Sequence, residues 1–159
     1  MGSIPLSRGL IAIVDDNDVE WLSQWTWSAS TTKAPYAVSR LLRDRRSKRI
    51  SMHRLITNAP DGVLVDHINR NILDNRRSNL RLVTPSQNSQ NSGRHSDSKS
   101  PYKGVHLNKY GGWVVEIWIG GKNVYLGTFK AAEDGARAYD AAAREHFGEF
   151  AHTNFEVQS

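Results

Sequence analysis

The sequence predicts an α+β protein built from two modules, and three observations support this fold class. Residues 63–91 have the order strand, loop, strand, helix. Residues 101–129 contain three strand-like runs separated by glycine-containing turns, and one alanine-rich helical run follows them. Between these parts lies SGRHSDSKS (92–100), which is small, polar and without apolar anchors. We therefore expect the following division: a first module over 1–92, a flexible linker over 93–100 and a second module over 101–159.

The segment that precedes residue 63 predicts a β-rich scaffold. GLIAIV (9–14) has strand character, and a short helix is expected after it because Val19, Leu22 and Trp25 fall at helical spacing. An aspartate, Asp15 or Asp16, is expected to cap this helix. The remaining elements are two strands, a charged turn and an apolar segment that ends at the turn NAPDG: TWSAS (26–30), YAVSRLL (36–42), RDRRSKR (43–49) and RISMHRLI (49–56).

The central elements are predicted by β-branched runs and a helix-start signal. VLVDHI (63–68) and LRLVT (80–84) are expected to form two strands. TPSQNSQN (84–91) is expected to open a helix, because Thr84 is a suitable N-cap and Pro85 is favoured at the first helical position.

The second module is predicted by two different periodicities. Along WVVEIWI (113–119) the side chains alternate, so that Trp113, Val115 and Ile117 are expected to face a helix while Val114, Glu116 and Trp118 face outward. In the helix that follows, apolar residues recur every three or four positions and form one stripe, which Gly148 ends. The stripe consists of Ala132, Ala136, Tyr139, Ala143 and Phe147.

Composition and charge limit the classes of function. The chain has no cysteine, which excludes disulfides, thiolate zinc sites and a cysteine nucleophile. It has no run of about 18 apolar residues and no secretory signal, so we expect a cytosolic protein. The net charge of +5 is uneven: residues 1–36, 37–100 and 101–159 carry −2, +8 and −1. The basic middle third is either a solvated face or, as its asparagine-rich and glycine-rich context favours, a surface that binds a polyanion.

VDHINRNILDNRRSNL (65–80) carries the candidate chemistry. Neighbouring strand residues point to opposite faces, so Asp66 and His67 can straddle an ion and a water molecule. One carboxylate and the amide of Asn88 suit a hard cation such as Mg²⁺ or Mn²⁺, and a histidine can serve as general base near neutral pH. Asn79 is placed to pin the long loop. Three arginines are expected to grip phosphates around the scissile bond: Arg70, Arg76 and Arg77.

These residues resemble the HNH nuclease family, and in particular its phage and intron homing-endonuclease branch, over about residues 37–92. The motif is DHINxNxxDNRxxNLRLVT, with Asn79 twelve residues after His67 and Asn88 twenty-one after it. The resemblance implies a ββα-metal fold in which Asp66 and Asn88 bind one catalytic metal ion, His67 activates water and Asn79 braces the fold. Because Asn88 stands where the family name has a histidine, magnesium or manganese is expected rather than zinc.

Residues 101–155 resemble the plant ethylene-responsive-factor (Apetala-type) DNA-binding domain, through SPYKGV, WVVEIWI, YLGTF and ARAYDAAA. The resemblance implies that a three-stranded antiparallel sheet lies in the major groove of DNA with one helix packed behind it. Several arginines of that family are replaced here, which leaves the target sequence open. Eight residues fall at the family's contact positions: Lys103, His106, Asn108, Tyr110, Glu116, Trp118, Asn123 and Tyr125.

Together the two resemblances imply a metal-dependent HNH homing-type endonuclease that nicks or cuts double-stranded DNA at a site chosen with the help of the second module. We expect a monomer or homodimer on DNA, phage-encoded in a bacterial cytoplasm, with no membrane partner and no small-molecule cofactor. Two alternatives are a non-catalytic transcription regulator, in which the first module is a DNA-binding platform, and a single-strand RNA-binding protein.

Overall fold

The structure is a computed structural model in which residues 1–31, 34–43, 46–94 and 98–155 are described, without the side chains of residues 41–48. The described chain divides into two compact units, Met1–Pro85 and Ser86–Ser159. Antiparallel sheets and helices occur in both units, so the α+β class is confirmed. Among the described residues, no helix is both long and apolar enough to cross a membrane.

Two antiparallel pairs and one three-stranded sheet form the first unit, together with two short helices. The first pair is formed by β1 (Gly2–Pro5) and β2 (Ile11–Val14), and α1 (Asp16–Leu22) follows it. The next elements are β3 (Ser28–Ala29), β4 (Ala37–Arg43) and β5 (Arg46–Ser51), in that order in one sheet, then α2 (Met52–Ile56). The second pair is formed by β6 (Leu64–His67) and β7 (Leu80–Val83).

The apolar core of the first unit draws on most of these elements. Val14 of β2, Leu22 of α1 and Met52 of α2 have no exposed surface. Asp15 takes the N-cap position of α1, but its side chain makes no capping hydrogen bond there. Its Oδ2 instead accepts a hydrogen bond from the backbone N–H of Arg77, 2.8 Å away. The first helix is therefore tied to the loop that precedes β7.

The charged segment RDRRSKR is mostly strand and not turn, so that part of the sequence prediction was wrong. Arg46–Arg49 pair with Arg40–Arg43 in the antiparallel register of β4 and β5. Once β4 continues to Arg43, its backbone groups need partners, and the returning chain supplies them. Residues 44 and 45, at the tip of the predicted turn, lie outside the described residues.

In the second unit, one helix packs on a three-stranded sheet, as predicted. The strands are β8 (Val105–Leu107), β9 (Trp113–Ile119) and β10 (Lys122–Phe129), with β9 in the centre. The helix α4 (Ala132–Phe147) packs with its apolar stripe against Val115 and Ile117, which are buried. A shorter helix, α3 (Pro85–Asn91), begins at the division between the units.

Gly135 has a packing reason to interrupt the apolar stripe of α4. A Cβ atom at this position would lie 2.8 Å from Cγ2 of the buried Val115. Because real Cβ atoms do not approach carbon atoms so closely, the glycine lets the helix backbone approach the sheet. The propensity cost of glycine in a helix, about 1 kcal/mol, is thus offset by packing.

Candidate active site

Two buried polar residues lie at the end of β6. Asp66 is 8% exposed and His67 is 5% exposed. Their strand pairs with β7, so that Asp66 stands opposite Arg81 and His67 opposite Leu80. A buried carboxylate beside a buried imidazole is costly unless both groups find partners, so their contacts decide what the site can do.

One partner of Asp66 is the guanidinium of Arg81. Nε donates to Asp66 Oδ2 over 3.0 Å, and Nη2 lies 2.9 Å from the same oxygen. Both side chains are nearly buried. The two contacts with one oxygen hold the carboxylate of Asp66 across the strand pair.

One partner of His67 is Asn75, in the loop between β6 and β7. His67 Nε2 lies 3.5 Å from Asn75 Oδ1, at the outer limit of a hydrogen bond. Burial lowers the pKa of His67 below its ordinary value, and the contact with Asn75 and the charges of Asp66 and Asp74 oppose this in part. The imidazole is therefore neutral at pH 7, which is the state that can accept a proton.

Asn79 closes the loop with its side-chain amide. Nδ2 donates to the backbone carbonyl of Asp74 over 2.7 Å and to Asn69 Oδ1 over 2.9 Å. Oδ1 accepts from the backbone N–H of Asn69, also over 2.9 Å. The backbone N–H of Ile68 donates in turn to the carbonyl of Asn79. Both ends of the loop are thus joined directly beside His67, while a catalytic role for Asn79 stays a prediction.

The loop also rests on β2 through backbone hydrogen bonds. The N–H of Ile13 donates to the carbonyl of Leu73 over 2.8 Å, and the N–H of Asn75 donates to the carbonyl of Ile13 over 2.7 Å. Asp74 and Asn75, 2% and 0% exposed, are among the most buried polar residues of the described chain. Sequence reasoning missed both. The available signal was the LDN triplet, because aspartate and asparagine bond to nearby backbone so readily.

Two of the three arginines expected to bind phosphate are paired with carboxylates. Arg76 binds Asp74 through Nε and Nη2, at 2.8 and 2.6 Å. Arg77 binds Asp18 in the same bidentate way, at 2.9 and 2.8 Å. These hydrogen bonds are the main reason that the pKa values of Asp74 and Asp18 are lowered. Neither guanidinium is free, so their contacts with phosphate remain predictions.

Arg70 differs from the other two arginines. It is exposed, it has a positive φ of 61°, and its backbone N–H donates to the carbonyl of His67. Within the described parts of the chain, no hydrogen-bond partner is found for its guanidinium. Of the three, Arg70 has the side chain most open to an external anion.

A second histidine packs against His67, which the sequence did not predict. The ring centroids of His53 and His67 are 5.3 Å apart in an edge-to-face arrangement. The ring of Tyr36 lies 5.3 Å from His53 and 6.2 Å from His67. We call these three side chains the ring cluster. Burial, together with the charge of His67, lowers the pKa of His53 to about 4.

The predicted metal ligands fit a hard cation in donor chemistry. Asp66 offers carboxylate oxygens and Asn88 an amide oxygen, which magnesium and manganese accept together with water and phosphate oxygens. Asn88 is an exposed residue of α3 and belongs to the second compact unit. Within the described ranges, no group of three or more His, Asp or Glu side chains could hold a metal ion.

All eight predicted DNA contacts are exposed or partly exposed, and six of them lie on one face of the sheet or in its turns. In the register of the second sheet, Trp118 pairs with Asn123, Glu116 with Tyr125 and Val114 with His106. Paired residues of antiparallel strands share a face, so these side chains lie opposite the face that packs on α4. We call this set, together with Tyr110, the outer sheet face. Three large aromatic residues on it are mostly exposed: Tyr110 (83%), Trp118 (61%) and Tyr125 (61%).

The side chains of the other two predicted contacts, Lys103 and Asn108, hydrogen-bond to backbone groups within the second unit. Lys103 Nζ donates to the carbonyls of Gln90 and Ser92 at the C-terminal end of α3, each over 2.7 Å. Asn108 Oδ1 accepts from the backbone N–H groups of Tyr110 and Gly112. Asn108 thus stabilises a turn and Lys103 a helix end. Whether either residue also contacts DNA stays a prediction.

The strand pair, its pinned loop and the buried Asp-His pair define the class of protein. The chain belongs to the HNH endonuclease family, whose activity is that of a nuclease. The family model described as HNH endonuclease matches residues 58–90. A protein of Acanthamoeba polyphaga mimivirus, described as an uncharacterized HNH endonuclease, is 34% identical over 153 residues, which are 92% of this chain and 76% of that protein.

The C-terminal part of the chain is similar to plant proteins of the Apetala and ethylene-responsive type. An AP2-like ethylene-responsive transcription factor of Arabidopsis thaliana is 45% identical over 78 residues, which are 48% of this chain but 16% of that protein. A dehydration-responsive element-binding protein of the same plant is 41% identical over 64 residues, 39% of this chain and 31% of that protein. The similarity thus concerns one module of much longer plant proteins.

Proposed function

We propose that the protein is a metal-dependent endodeoxyribonuclease that hydrolyses phosphodiester bonds in double-stranded DNA, with His67 as the general base. The observation that carries this proposal is a buried, neutral imidazole next to a buried carboxylate, in a chain of the HNH endonuclease family. A homing-type role is part of the same proposal and follows from the branch of the family that the motif resembles.

The geometry around His67 supports its role as a base. Asn75 Oδ1 is an acceptor, so it favours the tautomer in which Nε2 carries the proton and Nδ1 carries the lone pair. Nδ1 then takes a proton from the attacking water molecule. Because burial keeps the ring neutral, a large fraction of the protein is in the reactive state at pH 7.

Asp66 would hold the divalent ion, as magnesium or manganese, and a contribution from Asn88 stays an expectation from the resemblance. When bound, such an ion supplies charge stabilisation for the leaving 3′-oxygen. Arg81 has a complementary part, because its guanidinium holds the carboxylate of Asp66 in place across the strand pair. Arg70 is exposed, its backbone N–H donates to the carbonyl of His67, and its guanidinium would bind a phosphate of the DNA strand.

We further propose that the second unit helps to choose the site on DNA. The outer sheet face is rich in aromatic side chains and poor in arginine. This composition suits contacts with base edges and sugars better than charge–charge contacts with phosphates. Similarity to plant DNA-binding proteins over this part of the chain supports the proposal.

A supercoiled-plasmid assay tests the enzymatic proposal. The full-length protein is incubated with plasmid in Mg²⁺, in Mn²⁺ and in EDTA, and binding is followed separately by gel shift. We expect nicked or linear product with a divalent ion and none in EDTA. Binding without product in either metal would favour the transcription regulator, and a preference for single strands in competition would favour the RNA-binding alternative.

A second assay tests the role of the outer sheet face. Trp118→Ala and Tyr125→Ala should each lose site preference in footprinting while nonspecific nicking continues at the wild-type rate. Substitution is preferable to truncation at residue 92, because truncation would also remove Lys103 from the end of α3. Unchanged footprints in both variants would remove the second unit from site selection.

A further inference from the structure

We propose that His53 is a positioning residue, whose ring holds the imidazole of His67 in the orientation needed to accept a proton. The inference rests on the proposed function of His67 as the base. His53 stands fourteen residues earlier in the chain and outside the stretch that the family model matches.

The ring cluster surrounds one side of His67 with flat, rigid groups. His53 meets His67 edge to face at a ring separation of 5.3 Å and an interplanar angle of 78°. Tyr36 contacts both histidines, so the three rings form a closed triangle of contacts. With Asn75 on Nε2, these contacts hold the plane of the His67 ring from two directions.

The helix that carries His53 is fixed relative to the strand that carries His67. Arg54 donates from Nη1 to the carbonyl of Val63 and from Nη2 to the carbonyls of Ala59 and Pro60, all in the segment leading into β6. On either side of His53, Met52 and Ile56 anchor α2 in the core of the first unit.

The C-terminal end of α2 is bound as well. Arg77 Nη1 donates to the carbonyl of Ile56 over 3.1 Å, and Arg77 belongs to the loop that precedes β7. The helix is therefore held both to the segment before His67 and to the loop after it. These hydrogen bonds fix the position of α2, and therefore the position of the His53 ring beside His67.

A neutral aromatic ring at position 53 suits this role. The low pKa of His53 means that it adds no positive charge beside His67 near neutral pH. The charged groups that face it are Arg54 on its own helix and, when protonated, His67 across the contact. Without the ring, a space opens beside His67, and the imidazole gains rotamers in which Nδ1 no longer meets the water molecule.

Activity and NMR measurements on His53→Ala and His53→Phe test the proposal. We expect His53→Ala to lower kcat for nicking roughly 10- to 100-fold, because displacing a reacting group by about an ångström has an effect of this size. KM should stay within about twofold of the wild-type value. His53→Phe keeps a ring and should restore most of kcat. His146→Ala, on the exposed side of α4, is the matched control and should behave as wild type.

The NMR readout does not depend on cleavage. The ring resonances of His67 should shift or broaden in His53→Ala and stay single and sharp in His53→Phe. Unchanged His67 resonances in the alanine variant would overturn the proposal, and so would a phenylalanine variant as slow as the alanine variant. If the wild-type protein cuts no DNA with any metal, the proposed function fails, while the NMR comparison still decides whether His53 positions His67.

Discussion

The loop between β6 and β7 and the sheet-helix layer of the second unit are stabilised in opposite ways. The loop, residues 68–79, is held by amide, carboxylate and guanidinium groups, several of them buried. The second unit is held by an apolar stripe on α4 that packs against Val115 and Ile117. The loop that carries the candidate site thus depends on directional polar bonds, whereas the packing of α4 on its sheet depends on buried apolar area and close fit. Polar bonds occur in the second unit as well, where the buried Asp140 accepts hydrogen bonds from Asn154 and Phe155.

This difference has energetic consequences. An apolar contact that is lost costs free energy in proportion to the space left behind. A buried polar group that loses its partner costs more than the bond itself was worth, because it must remain dehydrated and unpaired. Substitutions in the loop should therefore cost stability even where they leave little empty space, whereas substitutions in the apolar stripe of α4 should cost stability in proportion to the cavity that they open.

The largest effect is expected from Arg81→Gln, which leaves the carboxylate of Asp66 buried without its cation. We expect a loss of about 3 kcal/mol in the free energy of unfolding, measured by urea denaturation. The double variant Asp66→Asn/Arg81→Gln is the control and should recover part of the loss, since no charge is then left alone. Equal losses in the single and double variants would show that the ion pair has no such role.

A pH effect is expected next, from His53. Its pKa is lowered to about 4 in the folded protein from an ordinary 6.5, so the unfolded chain binds more protons between these values. Stability is therefore complete above pH 6.5 and falls as the pH is lowered toward 4, by up to about 3 kcal/mol.

The control for this pH effect is His53→Phe, followed by thermal melting in buffers from pH 4 to pH 7. The variant should lose much of the dependence, and His67, whose pKa is lowered as well, should account for part of what is left. A variant whose melting temperature depends on pH as strongly as that of the wild type would contradict the buried position of the His53 ring.

Asn79→Ala should have a smaller but clear effect. The substitution removes three hydrogen bonds and leaves the carbonyl of Asp74 and the N–H of Asn69 without these partners. We expect a loss of about 2 kcal/mol, measured by denaturant unfolding. Asn123→Ala, on the exposed face of β10, is the control and should change stability by less than about 0.5 kcal/mol. A tolerated Asn79→Ala would mean that the loop does not depend on polar bonds.

The smallest effect concerns the apolar region and tests its shape. Gly135→Ala gains about 1 kcal/mol of helix propensity, yet it places a Cβ atom 2.8 Å from Val115. We expect a net loss of about 1 kcal/mol, because overpacking outweighs propensity. Ala141→Gly, at an exposed position of the same helix, should cost a similar amount by propensity alone. A stabilising Gly135→Ala would contradict the conclusion that α4 packs too closely on the sheet to accommodate a Cβ atom at position 135.

The same contrast explains what could be predicted from the sequence. The strands and helix of the second unit follow from alternation along WVVEIWI and from the stripe that includes Tyr139 and Phe147, since both patterns are local. The DHIN motif placed Asp66 and His67 at the end of a strand, where the structure has them.

What could not be predicted depends on residues that are distant in the chain. Arg77 binds Asp18 over 59 positions, and Asn75 meets the backbone of Ile13, so no local pattern indicates either contact. The ring contact between His53 and His67 is of the same kind. The extent of β5 was missed for another reason, because a run of charged residues resembles a turn until its pairing with β4 is known.

The assignment of His67 as the general base is tested most directly by the single-turnover rate of DNA cleavage by His67→Ala. The rate is measured with Mn²⁺ and with protein in excess over a bound duplex. We expect a cleavage rate at least about 100-fold below that of the wild type, because the general base is gone. The affinity for the same duplex in EDTA should be unchanged. A rate within a few-fold of wild type would contradict the assignment of His67 as the base.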